Sequence, residues 1–252
     1  MGRPGREAVA RTLPALKEEF APDLVVCNGE NLAHGAGVTK KVADEMFAIG
    51  VDAITSGNHV FDKKEAAAFL GEEQLPLIRP LNFAEGALGR GCMTLERKGK
   101  KIIIVNLIGT LFMGEAYRNP FLIAGVFLKE CAADGTIVIV DFHAETTSEK
   151  RAMGFYLDGK VSAVLGTHTH VPTADAQILK GGTAYITDVG MTGTTQSVIG
   201  MEKESVIREF CGEQARPDIA EGEVAVDAVI IDIDDTTGRA RAISHIHRVL
   251  AQ

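Results

Sequence analysis

Short apolar runs in this chain end repeatedly in a polar cluster, and this recurrence constrains the fold more than any other feature. Val25-Val26-Cys27 runs into Asn28-Gly29-Glu30-Asn31, and Ile54-Thr55-Ser56 into Gly57-Asn58-His59. Val138-Ile139-Val140 runs into Asp141-Phe142-His143, and Ala163-Val164-Leu165 into Gly166-Thr167-His168-Thr169-His170. Apolar runs this short, bounded by turn formers, read as buried strands. In open α/β sheets, ligands collect beyond the carboxyl ends of the strands. The four clusters are therefore one candidate ligand set.

Between these runs lie helical patterns. Val9, Leu13, Leu16 and Phe20 recur at three- and four-residue intervals in Arg6–Phe20, with Pro4 suited to the first turn. Further helices are expected at Val42–Ile49 with Thr39 as N-cap, Lys63–Leu70, Phe121–Cys131, Glu149–Leu157 and Lys203–Phe210. Strands are expected at Leu24–Cys27, Ala53–Ser56, Ile102–Leu107, Ile137–Asp141, Ala163–Gly166 and Ala184–Thr187. Lys98-Gly99, after Met93–Glu96, and Gly181-Gly182 read as hairpin turns. Glu223–Ile233 reads as a well-buried strand, paired through the turn Asp234–Gly238 with Arg241–Val249. Alternating elements early and hairpins later predict an α/β protein with two stacked sheets and helices outside. The chain opens on a helix, where a βαβ protein ordinarily opens on a strand.

At 252 residues and 46% hydrophobic content the chain is expected to form one domain, 1–252. Its formal charge of -8 argues against a protein that stably coats nucleic acid, although bound divalent cations reverse the sign an anionic substrate meets. Cys27, Cys92, Cys131 and Cys211 form no C-x-x-C pair, so a zinc knuckle and a disulfide framework are both disfavoured. No apolar run suits a signal peptide or membrane span, and a cytoplasmic location is expected.

His168 and His170, two apart after an apolar run, would project to the same side of an extended segment. Imidazoles so spaced serve one ion or two adjacent ions; an isolated pair of this kind is as often structural. The other clusters also have ordinary readings, Asn28-Gly29 as a turn and His143 as a packed histidine. Taken together they divide into chemical roles. Glu30 can bridge two cations, Asn58, His143 and His168 can serve one of them, and His170 the other. This donor mixture suits manganese, iron or zinc better than calcium. His59, beside Asn58, would then be free to protonate a leaving oxygen, a division of labour suited to phosphoester hydrolysis.

The order Gly-Glu-Asn, Gly-Asn-His, a strand-end histidine and Gly-Thr-His-Thr-His resembles the calcineurin-like metallophosphoesterases, whose fold is a two-sheet sandwich flanked by helices. The resemblance is closer to their YmdB-like subfamily of 2′,3′-cyclic-nucleotide 2′-phosphodiesterases. It extends through Gly57–Glu65, Asp141–Lys150, Gly166–Asp175 and Gly181–Met201, nearly the whole chain. It implies a metal set of Glu30, Asn31, Asn58, His143, His168 and His170, with Asn31 joining His170, and His59 as general acid. Two divalent ions and a small cyclic nucleotide or phosphodiester as substrate follow from the same likeness; a homo-oligomer is compatible with the sequence, which does not fix the oligomeric state.

One departure stands out. The subfamily has a first strand ending in Gly-Asp-x-x-Gly, whose aspartate is a ligand, just ahead of the Arg3-Pro4-Gly5-Arg6-Glu7 helix start; this chain begins at Met1-Gly2. The expected fold is thus an α/β/β/α sandwich lacking its first strand, and an upstream coding start is the expected explanation. A metallo-β-lactamase type is disfavoured because the histidine required soon after H-x-H-x-D is absent. The alternative from another class is a metal-binding regulatory or scaffold protein with weak or no catalysis.

Two further features have no assigned role. Gly109–Pro120, with Phe112, Met113 and Tyr117, reads as packing in preference to a pocket-mouth loop, and Arg79 and Arg90 as ordinary surface arginines.

Overall fold

The structure is a computed structural model describing residues 1–72, 74–114, 117–131 and 135–250. In chain order the elements are α1 (Gly2–Phe20), β1 (Val26–Asn28), α2 (Lys40–Ala48), β2 (Ala53–Thr55), α3 (Ala66–Leu70), β3 (Cys92–Arg97) and β4 (Lys100–Ile108). There follow α4 (Pro120–Cys131), β5 (Ile137–His143), α5 (Thr147–Leu157), β6 (Ala163–Thr167), β7 (Gln177–Ile178) and β8 (Ala184–Ile186). The last are β9 (Gly193–Thr194), α6 (Lys203–Phe210), β10 (Val224–Ile233) and β11 (Ala240–Leu250). Among the described residues no helix is long and apolar enough to cross a membrane.

Local chemistry explains several boundaries. Thr39 caps α2 by accepting the Val42 N–H, and Thr146 caps α5 by accepting that of Glu149. Lys98 and Gly99 both adopt positive φ, 49° and 74°, the twist that a two-residue hairpin between β3 and β4 requires. The Gly57-Asn58-His59 cluster opens a single 3-10 turn, Asn58–Phe61, ahead of α3.

A six-stranded sheet of order β3-β4-β5-β6-β8-β7 forms the central layer, parallel from β4 to β8 with antiparallel strands at both edges. Its two faces follow the period of two. Ile103, Val105, Val138, Val140 and Val164 pack with Ala124 and Phe127 of α4 and Met153 and Leu157 of α5. On the opposite face, Ile104 packs with Ala53 of β2, while Ile139, Ala163 and Leu165 pack with Ile231 and Ile243 of the β10–β11 hairpin. Outside that second layer, Leu13 of α1 and Val42 and Met46 of α2 pack over Ile54. The order helix, sheet, sheet, helix is the expected α/β/β/α sandwich.

The second layer is discontinuous. Its strands fall into a parallel pair β1-β2 and an antiparallel set β11-β10-β9. Beyond Ala225, β10 pairs only with β11 among the described residues. A cavity of about 650 Å³ is lined by Val25–Asn28, by Val226–Ile233 and by Ile104, Ile139 and Leu165 beneath them. β10 is correspondingly less enclosed than expected: only Ala225 and Val226 are fully buried.

Candidate metal centre

The parallel register sets the floor of the site. Ile108, His143 and Thr167 are paired across β4, β5 and β6, so their carboxyl ends lie level, and β5 continues two residues beyond its expected end to include His143. Asp141 and His143, two apart on one strand, share the face toward the second layer. Above them, β1 and β2 end level at Asn28 and Thr55, delivering Glu30 and Asn58 in the loops that follow.

Glu30, His143 and His168 bring one ligand atom each within 4.8 Å of one another. Glu30 and His143 are each only 1% exposed. His143 Nε2 stands 3.2 Å from Asn58 Oδ1 and 3.0 Å from His168 Nδ1, and it contacts Glu30 Oε2. The hydrogen-bond network gives these atoms one character. Thr167 Oγ1 donates to Asp141 Oδ1 at 2.7 Å and so accepts the proton of His143 Nδ1 at 3.0 Å. That tautomer leaves a lone pair on His143 Nε2. His168 Nε2 is 3.0 Å from Glu145 Oε2, and donation there leaves the lone pair on Nδ1. In these tautomers the four atoms turn lone pairs toward one point.

Two more observations test whether a cation fits there. Glu30 Oε2 is buried without a hydrogen-bond partner, although an unsatisfied buried carboxylate oxygen is costly. Gly57 leaves the point open, because a Cβ there would collide with Glu30 Oε2 and His143 Nε2. The residues fit a divalent ion, and the fold implies such ions.

The second pair follows the same logic. His170 Nδ1–H donates to the Ile199 carbonyl at 3.0 Å, so the Nε2 lone pair meets Asn31 Oδ1 at 3.1 Å. The Asn31 amide group donates to Gly35 O at 2.8 Å, which fixes its oxygen toward His170. His59 joins the first cluster through its backbone, donating N–H to Glu30 Oε1 at 2.8 Å, while its ring Nδ1 lies 2.7 Å from Asp62 Oδ2. The seven expected site residues thus fall into two groups, joined in the chain at Glu30 and Asn31. Burial, then the neighbouring His143, pushes His168 down to about 4, and burial also lowers His170. Burial opposes ionisation of Glu30, but His143 and the His59 N–H outweigh it and hold its pKa below the usual value.

The extended-segment argument for His168 and His170 does not hold. β6 stops at Thr167, and both histidines adopt left-handed backbone, φ 96° and 65°. Sequence reasoning gave no separate role to Asp141, Thr167, Glu145 or Asp62. Asp141 carried a signal, two residues before His143 on one strand; the others are set by tertiary contact. Arg79 and Arg90 donate to backbone carbonyls, including Ala87 O and Leu75 O. Met113 is buried and Tyr117 stacks on Phe83 at 5.1 Å, as the packing reading of that stretch expects; Phe112 is 88% exposed, and 115–116 lie outside the described residues.

The family profile described as YmdB-like protein matches residues 1–246. A Bacillus subtilis (strain 168) protein named 2′,3′-cyclic-nucleotide 2′-phosphodiesterase is 46% identical over 248 residues, spanning 98% of this chain and 93% of that protein. Among solved structures, a hypothetical protein from Thermus thermophilus superposes with a TM-score of 0.91 at 42% identity, over 99% of this chain and 96% of that one. A novel phosphatase from Mycoplasma pneumoniae gives a TM-score of 0.92 at 38% identity, over 98% of this chain and 90% of that one. With its motifs and layers accounted for, the chain belongs to the YmdB-like family and has the metallophosphoesterase fold.

Proposed function

We propose that this chain is a metal-dependent phosphodiesterase that hydrolyses 2′,3′-cyclic nucleotides, opening the ester at O2′ and leaving a 3′-phosphate. One observation carries the reading: His143 Nε2, His168 Nδ1, Asn58 Oδ1 and the partnerless Glu30 Oε2 present lone pairs to a single buried point. The name of the Bacillus subtilis relative supports the choice of substrate.

In this reading Glu30, Asn58, His143 and His168 would hold one ion, and Glu30 with His170 and Asn31 would hold the other. The mixture of carboxylate, amide and imidazole suits manganese or iron, and also zinc. Bound ions supply Lewis acidity to the phosphoryl oxygens and make water at the site more acidic.

The chain's own residues do the rest. Glu30 ties the metal point to the proton donor, because its Oε1 holds the His59 backbone. Asp62 fixes the His59 ring through Nδ1, leaving Nε2 as the atom that delivers a proton to the departing O2′. Water adds to phosphorus and gives up a proton to solvent, the P–O2′ bond breaks, O2′ departs as a hydroxyl with the proton from His59, and His59 regains a proton from solvent. One water is consumed per ester opened.

The test is an assay of the purified protein with Mn2+ on a 2′,3′-cyclic nucleotide and on bis(p-nitrophenyl) phosphate. Metal-dependent release of a 3′-nucleotide, lost in His59→Ala and His143→Ala, is expected. Robust turnover in both variants, or a 2′-phosphate product, would overturn the assignment.

A further inference from the structure

The loop between β6 and β7 holds two non-glycine residues in left-handed backbone, His168 and His170, on either side of Thr169. Such a conformation is unfavourable and persists where the surroundings over-determine it. Here Asp188, just beyond β8 and fully buried, supplies the restraint. Its Oδ2 accepts the Thr169 N–H at 3.1 Å and the Thr169 hydroxyl at 2.7 Å. Its Oδ1 accepts the Gly190 N–H at 2.8 Å, and its own N–H donates to Thr173 Oγ1 at 2.9 Å. The carboxylate is itself held on two sides.

A counter-charge comes from α5. Lys150, 1% exposed, donates from Nζ to Asp188 Oδ2 at 2.7 Å and to Thr169 Oγ1 at 3.1 Å. Gly166 admits this side chain, since a Cβ there would stand 3.1 Å from Lys150 Cδ and collide with the Thr187 carbonyl. A buried ion pair is weak evidence for stability, because well-packed apolar residues of similar volume often do as well. The steps assigned to Glu30 and His59 leave this pair without a role.

We infer that Asp188, neutralised by Lys150, is a positioning residue for metal binding: it pins the Thr169 peptide so that His168 Nδ1 and His170 Nε2 face their respective partners. The inference rests on reading the two histidines as ligands. Residues supporting metal ligands typically change affinity by about 10- to 100-fold when removed. The clamp acts on both histidines through the one residue between them.

The experiment is calorimetric titration of the full chain with Mn2+, with the melting temperature of the metal-free protein measured alongside. The charge-balanced variant Asp188→Ala/Lys150→Met is expected to lose about 10-fold or more in Mn2+ affinity. Asp188→Asn/Lys150→Met, which keeps an acceptor for Thr169, is expected to recover most of that loss. Thr169→Val leaves the ion pair intact and decides the matter if the first variant does not fold; a several-fold loss and an altered Co2+ absorption spectrum are expected. Wild-type Mn2+ affinity in either Asp188→Ala/Lys150→Met or Thr169→Val would overturn the inference. A wild-type protein that takes up no Mn2+ would instead overturn the ligand assignment beneath it.

Discussion

Glu30 and His59 are joined by a backbone hydrogen bond, His59 N–H to Glu30 Oε1 at 2.8 Å, while the other oxygen of Glu30 faces His143 Nε2. One carboxylate thereby serves both the metal point and the residue assigned to proton transfer. Glu30→Gln keeps the shape and an oxygen for the His59 N–H but removes the charge. The expected outcome is loss of bound metal, read by elemental analysis, and a fall in kcat/KM of at least about 100-fold with unchanged circular dichroism.

His59 and Asp62 form the exposed arm of the site, 40% and 46% accessible at their side chains. A general acid contributes about 100- to 10,000-fold, so His59→Ala is expected to lower kcat within that range at unchanged metal content. Asp62→Asn keeps the ring in place by a weaker contact and is expected to cost less. Steady-state kinetics with metal analysis of the same samples checks both.

Gly57, at φ -162°, lies outside the left-handed region that favours glycine. An alanine Cβ there would nevertheless collide with Glu30 Oε2 and His143 Nε2. Gly57→Ala is expected to fold and to bind Mn2+ at least about 10-fold more weakly, as read by calorimetry. Wild-type affinity would show that these two atoms do not surround the ion.

Legibility from sequence tracked the range of the interactions responsible. Thr39 as a cap and Lys98-Gly99 as a hairpin turn depend on neighbours a few residues away, and both were readable. So was the delivery of Glu30, Asn58 and His143 to strand ends, which rests on apolar run length and chain reversal. The histidine loop was not readable: its left-handed turns depend on Asp188 and Lys150, each 19 residues from Thr169. His143 was placed beyond its strand because Asp141 interrupts the apolar run; pairing with Leu107-Ile108 and Gly166-Thr167 extends β5 that far.

The low pKa of His168 gives the metal-free protein an acid limit. Burial and His143 push the folded-state value to about 4 from an ordinary 6.5. Between those values the unfolded chain binds more protons at this position than the folded one, so stability falls as pH drops through that window and returns as pH rises above it. His170, also lowered by burial, adds in the same direction. Asp141, raised by burial, opposes them, since protonation favours its folded form. Comparison with His168→Gln isolates the imidazole. In EDTA, the melting temperature of the wild-type protein is expected to fall more between about pH 7 and about pH 5 than that of the variant. Equal falls would show that His168 is not held neutral in the folded chain.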